Sequence, residues 1–173
     1  EFEKNKIYEN KDKNINKKKS SMRIGIIGRP NTGKSTLINN IIDQKRLVTG
    51  VQAGITRDSI EVLWNYKNEQ VSIIDTAGLR KKSKVINILE KDMVNDTLRT
   101  IKFSDICILL IDVSKSIDKQ DLNIARMIIG EGRGLIIGAN MWDKIIDKNM
   151  IKEEIFYQLK SSLSQIKNIP IVF

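Results

Sequence analysis

The chain has no histidine. Imidazole catalysis and histidine-based metal sites are therefore excluded, and any metal must be a hard cation held by oxygen ligands, which points to magnesium chemistry. The only cysteine, Cys107, lies inside the apolar run 106–111. No internal disulfide can form, and a thiol in such a run is expected to be buried and inert. No stretch approaches the length of apolar sequence that spans a bilayer, so a soluble protein without a membrane span is expected. The leader, residues 1–21, is poor in apolar residues and carries Lys4, Lys6, Lys11, Lys13 and Lys17, Lys18 and Lys19 among Asn, Glu and Asp. It lacks the apolar core of a secretory signal and reads as a disordered basic linker or tail.

What is present suits one folded domain: 173 residues, 40% of them apolar, are enough for one core. The net charge of +9 fits an anionic partner, nucleic acid being the commonest, with nucleotide phosphates using part of it. Plain solvation of the surface is the other reading of that charge, and Lys and Asn recur throughout as though by compositional bias.

Patterning gives an alternation of strands and helices. Met22 to Gly28 is a short apolar run ending in glycine, and Lys34 to Asp43 puts Leu37, Ile38, Ile41 and Ile42 on one helical face. Residues 44–58 show little periodicity. Ser59 to Tyr66 and Val71 to Asp75 read as a hairpin across residues 67–69. A helix is expected over 90–102 and a buried strand over 105–112. The next helix fits 119–131 with Leu122, Ala125 and Ile129 inward, followed by a strand over 135–140. In the helix after it Ile151, Ile155, Leu159 and Leu163 recur every fourth residue. A last strand begins at Ile169. This order predicts an α/β, three-layer fold, a mostly parallel sheet of about six strands with one antiparallel strand and helices on both faces, and the spacing of Gly28, Gly33, Lys34 and Ser35 between a strand and a helix makes it one of the P-loop NTPase kind.

On such sheets ligands bind at the carboxyl ends of the strands, and three informative segments fall there. Gly28-Arg29-Pro30-Asn31-Thr32-Gly33-Lys34-Ser35 has the phosphate-loop spacing between a strand and a helix. Its small and turn-forming residues let backbone N–H groups curl around a phosphate, while the helix N-terminus adds partial positive charge. Lys34 is the point charge for the β- and γ-phosphates, Ser35 offers a hydroxyl to Mg²⁺, and Thr36 follows in the helix. Asp75-Thr76-Ala77-Gly78 ends the hairpin, where Asp75 can reach Mg²⁺ through water and the Gly78 amide can sense a γ-phosphate. Thr56, between these two segments, is the candidate switch threonine for Mg²⁺ and the γ-phosphate.

Asn140-Met141-Trp142-Asp143 follows the strand at 135–140 and resembles the Asn-Lys-x-Asp base-recognition motif of GTPases. In that reading Asp143 accepts from the N1 and N2 donors of guanine and Asn140 lies toward O6 and N7. Adenine would leave a buried carboxylate unsatisfied, at a cost of roughly 1–3 kcal/mol. Met141 stands where the motif has lysine, which keeps the apolar contact with the base and drops the charge. Weaker nucleotide affinity with retained guanine preference is expected.

Taken together, GRPNTGKSTLINN, AGITRD, IDTAGLRKKSKV, LEKDMVNDTLRTIKFSD and KQDLNIA followed by NMWD resemble the bacterial double-GTPase ribosome-assembly family called EngA or Der, within the TrmE-Era-EngA-YihA-Septin-like GTPases. The match runs over about 22–173 and is similar to the second GTPase domain of that family more than to the first. The resemblance implies GTP hydrolysis with Mg²⁺, binding to the large ribosomal subunit or its RNA, and a first GTPase domain and a KH-like domain elsewhere in the full protein. It implies the bacterial cytoplasm or an organelle of bacterial descent. It also implies that a GTPase domain over 22–173 is truncated at its C-terminal end, short of a guanine-contacting loop and a final helix.

Leu79 stands where Ras-like proteins have the glutamine that orients water, so slow intrinsic hydrolysis is expected. In relatives that share Gly-Arg-Pro-Asn at this loop the asparagine helps bind potassium, and Asn31 matches it, which implies K⁺ stimulation. Arg80, Lys81, Lys82 and Lys84 form a basic cluster that could face RNA or simply be solvated. The presence of Lys34, Ser35, Thr56 and Asp75 favours a working enzyme. A nucleotide-holding RNA or ribosome module with little hydrolysis is the alternative.

Overall fold

The computed structural model describes residues 21–43, 60–67, 69–75, 90–166 and 168–173, with the backbone alone for Ile42, Asp43, Ile60, Glu61, Asp75 and residues 90–93. In chain order the elements are β1 (Met22–Ile27), α1 (Lys34–Asp43), β2 (Ile60–Tyr66), β3 (Glu69–Asp75), α2 (Glu90–Phe103), β4 (Ile106–Asp112), α3 (Lys119–Gly130), β5 (Gly134–Asn140), a 3-10 turn (Trp142–Lys144), α4 (Lys148–Ser162) and β6 (Ile171–Val172). One six-stranded sheet runs β2-β3-β1-β4-β5-β6. Only β2 is antiparallel to its neighbour. The predicted fold class is the observed one.

Successive side chains on a strand point to opposite faces, and β1 uses this to sort the core. Ile26 joins Ile38 of α1 and Ile73 of β3 on one face, with Leu37, Ile41, Val62 and Trp64 packed around them. Ile27 lies on the other, with Ile101 of α2, Cys107, Leu109 and Ile111 of β4, Ala125 and Ile128 of α3, Ile137 of β5 and Ile155 and Leu159 of α4. Each fully buried isoleucine or leucine among them contributes roughly 1.5–3 kcal/mol of burial free energy. Gly25 permits the close seat of α2: a Cβ there would collide with the Ser104 hydroxyl, which itself donates to the Thr100 carbonyl (2.7 Å) at the end of the helix. Cys107 is buried, and loss of solvation pushes its thiol up to about 11, as an inert core cysteine should behave.

Beyond one-residue shifts at several ends, two boundaries and one buried face differ from expectation. The hairpin strands reach Tyr66 and start again at Glu69, so the turn is one residue shorter than predicted. Strand β6 is confined to Ile171–Val172, because the contact upstream is made by the Pro170 carbonyl, which accepts from the Ile137 amide (2.9 Å), while proline has no N–H to return. In α3 the buried set is Asp121, Ile124, Ala125 and Ile128. Ala125 is inward as expected, whereas Leu122 and Ile129 sit only partly buried at the rim. Apolar periodicity could not give this, since an aspartate leads the inward face.

Candidate functional site

The carboxyl ends of β1, β3, β4 and β5 lie side by side, with Gly25 opposite both Ile74 and Cys107 and Asp112 opposite Asn140. Two loops leave this end of the sheet next to each other: 28–33 after β1, and 141 onward after β5.

The loop after β1 is tightly turned. Gly28 passes so close to the Leu110 carbonyl that a Cβ would strike it, and Gly33 has φ 96 with the Asn140 amide where a Cβ would be. Asn31 also takes a left-handed conformation (φ 65), which asparagine tolerates better than most residues. The Thr32 hydroxyl is buried and donates to the Arg29 carbonyl (2.9 Å). The Lys34 ammonium folds back over the loop and donates to the carbonyls of Gly28 (2.8 Å) and Arg29 (2.5 Å). Helix α1 begins with the Leu37 amide on the Gly33 carbonyl (2.9 Å). Ser35 and Thr36 are exposed in its first turn, as are Pro30 and Asn31 in the loop. The first turn of a helix leaves backbone N–H groups without partners inside it, which is the chemistry an anion meets there.

The Arg29 side chain goes elsewhere. Its guanidinium engages Asp121 with two parallel bonds, Nε to Oδ1 (2.9 Å) and a terminal nitrogen to Oδ2 (2.8 Å), and reaches Asp118 with the other nitrogen (3.2 Å). Among the predicted nucleotide-binding residues, Arg29 therefore offers its backbone to the loop and its side chain to α3. Asp118 caps α3 by accepting from the Gln120 amide (2.9 Å), while Asp121 accepts from the Asp118 amide (3.2 Å), a reciprocal capping box. Neither aspartate was among the expected site residues. The pattern Asp-x-x-Asp before an apolar run was a readable helix-start signal, though not a sign of what it would hold.

The second loop is tied to the first. The Asn140 side-chain amide donates to the Thr32 carbonyl (2.7 Å), bridging residues far apart in sequence. Met141 is left-handed (φ 63) and starts the 3-10 turn that presents Asp143, whose carboxylate is exposed rather than buried as expected, so only a bound base could cover it. Trp142 packs on the main core and stacks against Phe173 at 4.5 Å between ring centroids. Beneath, Asp112 accepts from the hydroxyl (2.5 Å) and amide (3.1 Å) of Ser114. Partial burial opposes its charge, yet these bonds with Lys115 and Lys144 nearby hold the carboxyl below its usual range.

The structure thus brings Gly28, Arg29, Pro30, Asn31, Thr32, Gly33, Lys34, Ser35, Thr36, Asn140, Met141, Trp142 and Asp143 to one end of the sheet. Asp75 closes β3 at the same end, by its backbone. Thr56, Thr76, Ala77, Gly78, Leu79 and the basic residues Arg80, Lys81, Lys82 and Lys84 lie outside the described residues. Among the described residues no helix is long and apolar enough to cross a membrane.

A doubly covered, mostly parallel sheet with this glycine-pinned loop between β1 and α1 defines a P-loop nucleotide-binding domain. Residues 23–141 match the family described as 50S ribosome-binding GTPases, and the chain belongs to that family. It is 49% identical over 154 residues to the GTPase Der of Rickettsia africae (strain ESF-5) and 50% identical over 154 residues to that of Rickettsia typhi (strain Wilmington). Each comparison covers 88% of this chain and 34% of the relative, so the chain spans about a third of those proteins' length. Among solved structures it is similar to Era bound to MgGDPNP and nucleotides 1506–1542 of 16S ribosomal RNA, with a TM-score of 0.64, 26% identity, and coverage of 88% of this chain and 50% of that one. The resemblance to the EngA or Der group read from the motifs is the one these relatives show.

Proposed function

We propose that residues 22–173 form the GTP-binding and GTP-hydrolysing domain of a molecular switch acting in assembly of the large ribosomal subunit, the second of two such domains in the full protein, with 1–21 a basic linker or tail. The observation that carries the nucleotide part is the bond from Asn140 to the Thr32 carbonyl. It locks the phosphate loop to the loop bearing Asp143, so one ligand with phosphates at one end and a purine at the other is met by a single preset frame. Asp143 then selects guanine, since an adenine would leave its carboxylate without donors.

Magnesium fits the donor set. The exposed Ser35 hydroxyl stands beside Lys34 at the start of α1, and Asp75 ends the neighbouring strand. Mg²⁺ is commonly held by one or two protein oxygens with the phosphates and water completing its shell. A magnesium ion held there would supply positive charge to offset the negative charge of the phosphates during transfer. The chain's own part is placement: Lys34 brings a cation to the loop, the backbone amides of 28–35 wrap the phosphates, and Thr56 and Gly78 report the γ-phosphate. Asn31, exposed and left-handed, is the candidate K⁺ ligand. With Leu79 in place of a water-orienting glutamine, turnover is slow without K⁺. The partner is the large subunit or its RNA, in the bacterial cytoplasm or the matrix or stroma of an organelle of bacterial descent. Era's complex with 16S ribosomal RNA and the charge of +9 support an RNA partner, and the match to the family of 50S ribosome-binding GTPases supports the large subunit.

Calorimetry of GDP, GTP and ATP with Mg²⁺, followed by hydrolysis assays in K⁺ and Na⁺, tests the proposal. GDP and GTP should bind at least about tenfold more tightly than ATP, and K⁺ should accelerate hydrolysis. Equal binding of ATP would end the guanine reading. Tight GTP binding with no hydrolysis in either salt would leave a nucleotide-holding module instead of an enzyme.

A further inference from the structure

Two aspartates at the start of α3 are attached to the phosphate loop through one arginine. We propose that Asp121, assisted by Asp118, is a positioning residue for nucleotide binding, holding the Lys34 ammonium in place through Arg29. The inference rests on the guanine-nucleotide reading above and deepens it.

The connection is short. The Arg29 carbonyl accepts from both the Lys34 ammonium and the Thr32 hydroxyl, so wherever that peptide group goes, the two groups that shape the loop go with it. The side chain of the same residue is a rigid planar fork with three contacts on α3. A bidentate pair fixes the plane of a guanidinium as well as its distance. Asp121 cannot swing to follow a drifting loop: it is 1% exposed, and its Oδ2 also accepts from the Asp118 amide. Helix α3 in turn is seated by Ile124, Ala125 and Ile128 in the main core. The phosphate loop is thereby braced against a helix seated in the main core. The brace also commits the Arg29 charge to carboxylates, so the loop's cation toward an anion is Lys34.

A purely structural ion pair and a positioning pair differ in one measurable way. Replacing a buried ion pair by apolar side chains of similar size commonly restores or raises stability, yet an apolar contact does not fix the orientation of residue 29. We therefore compare the whole chain with Asp121→Asn, Arg29→Met combined with Asp121→Leu, and Asp118→Asn, measuring thermal stability and GDP affinity by calorimetry for each. Asp118→Asn keeps a good helix cap and removes only the outer charge-assisted bond, so it stays informative if Asp121→Asn does not fold. The double variant should melt only slightly below the unmodified chain, by about the worth of the lost capping bond to the Asp118 amide, and bind GDP about tenfold more weakly, the scale of one lost charge-assisted hydrogen bond. Asp118→Asn should weaken binding about twofold to threefold at unchanged stability. If the double variant is stable and binds GDP like the unmodified chain, the pair is structural and the proposal is overturned. If affinity merely follows melting temperature across the series, it is overturned as well. Failure of the unmodified chain to bind GDP would instead remove the nucleotide reading beneath it.

Discussion

Two arginine–aspartate pairs bracket strand β1, and the contrast between them explains why one end of the sheet can host a site. At the amino end Arg23 engages Asp105 through Nε (3.3 Å), a terminal nitrogen (2.9 Å) and its own amide (2.9 Å), with both side chains 42% exposed. At the carboxyl end Arg29 engages Asp121 with the same fork, but the side chains are 20% and 1% exposed. The chemistry is shared and the surroundings are not. Water screens the first pair and competes for its partners, so it acts as a replaceable staple between β1 and the start of β4. The second cannot exchange its partners for water, so breaking it leaves a buried charge. Burial turns a weak fastener into a geometric constraint.

The largest effect is therefore expected at Asp121. Asp121→Asn should cost about 3 kcal/mol, the low end for a broken buried pair because Asp118 still holds one arm of Arg29. Chemical denaturation at neutral pH measures it, and a loss comparable to that of Asp105→Asn would erase the distinction between the two ends. Next in size is Gly33→Ala. Its backbone is left-handed and the added methyl would meet the Asn140 amide, so a loss of about 1–3 kcal/mol is expected, together with a broken bridge between the two loops. Binding of GDP should suffer in that variant even where it remains folded, which titration at low temperature would read directly.

The same contrast marks where the sequence could be read. Strand β1, the phosphate loop and α1 were legible because local patterns specify them: an apolar run, glycines at sharp turns, then Leu37, Ile38 and Ile41 on one face. The mostly parallel sheet with one antiparallel strand followed from the alternation of strands and helices around one hairpin, while the order of the strands within it did not. Asp118 and Asp121 were not legible as site residues, because what makes them matter is Arg29, close in space and remote in sequence. Their capping box announced a helix start and nothing more. The inward turn of Asp121 also shifted the buried face of α3 away from Leu122 and Ile129. Asn140 was identified from its motif, but its bond to Thr32 needed β5 to lie two strands from β1, which no local pattern encodes.

The smallest effect expected is at Asp105, and its sign with pH is fixed by the same geometry. The bonds from the Arg23 side chain and amide hold the Asp105 carboxyl below its ordinary value of 3.8, against a small opposing effect of burial, with the Arg23 and Arg133 charges adding to the lowering. A carboxyl that is harder to protonate folded than unfolded stabilises the fold above its unfolded pKa, and the contribution fades as pH falls through the folded value. Asp105→Asn should thus cost no more than about 1 kcal/mol at neutral pH, given how exposed the pair is. The difference from the unmodified chain should stay flat from neutral pH down to pH ~5 and shrink below pH ~4, where the unmodified side chain loses its charge too. Added salt should narrow it at neutral pH by screening. Denaturant melts of both chains across pH and salt would test this, and a gap that widened with acid would mean that Arg23 does not stabilise the charged form.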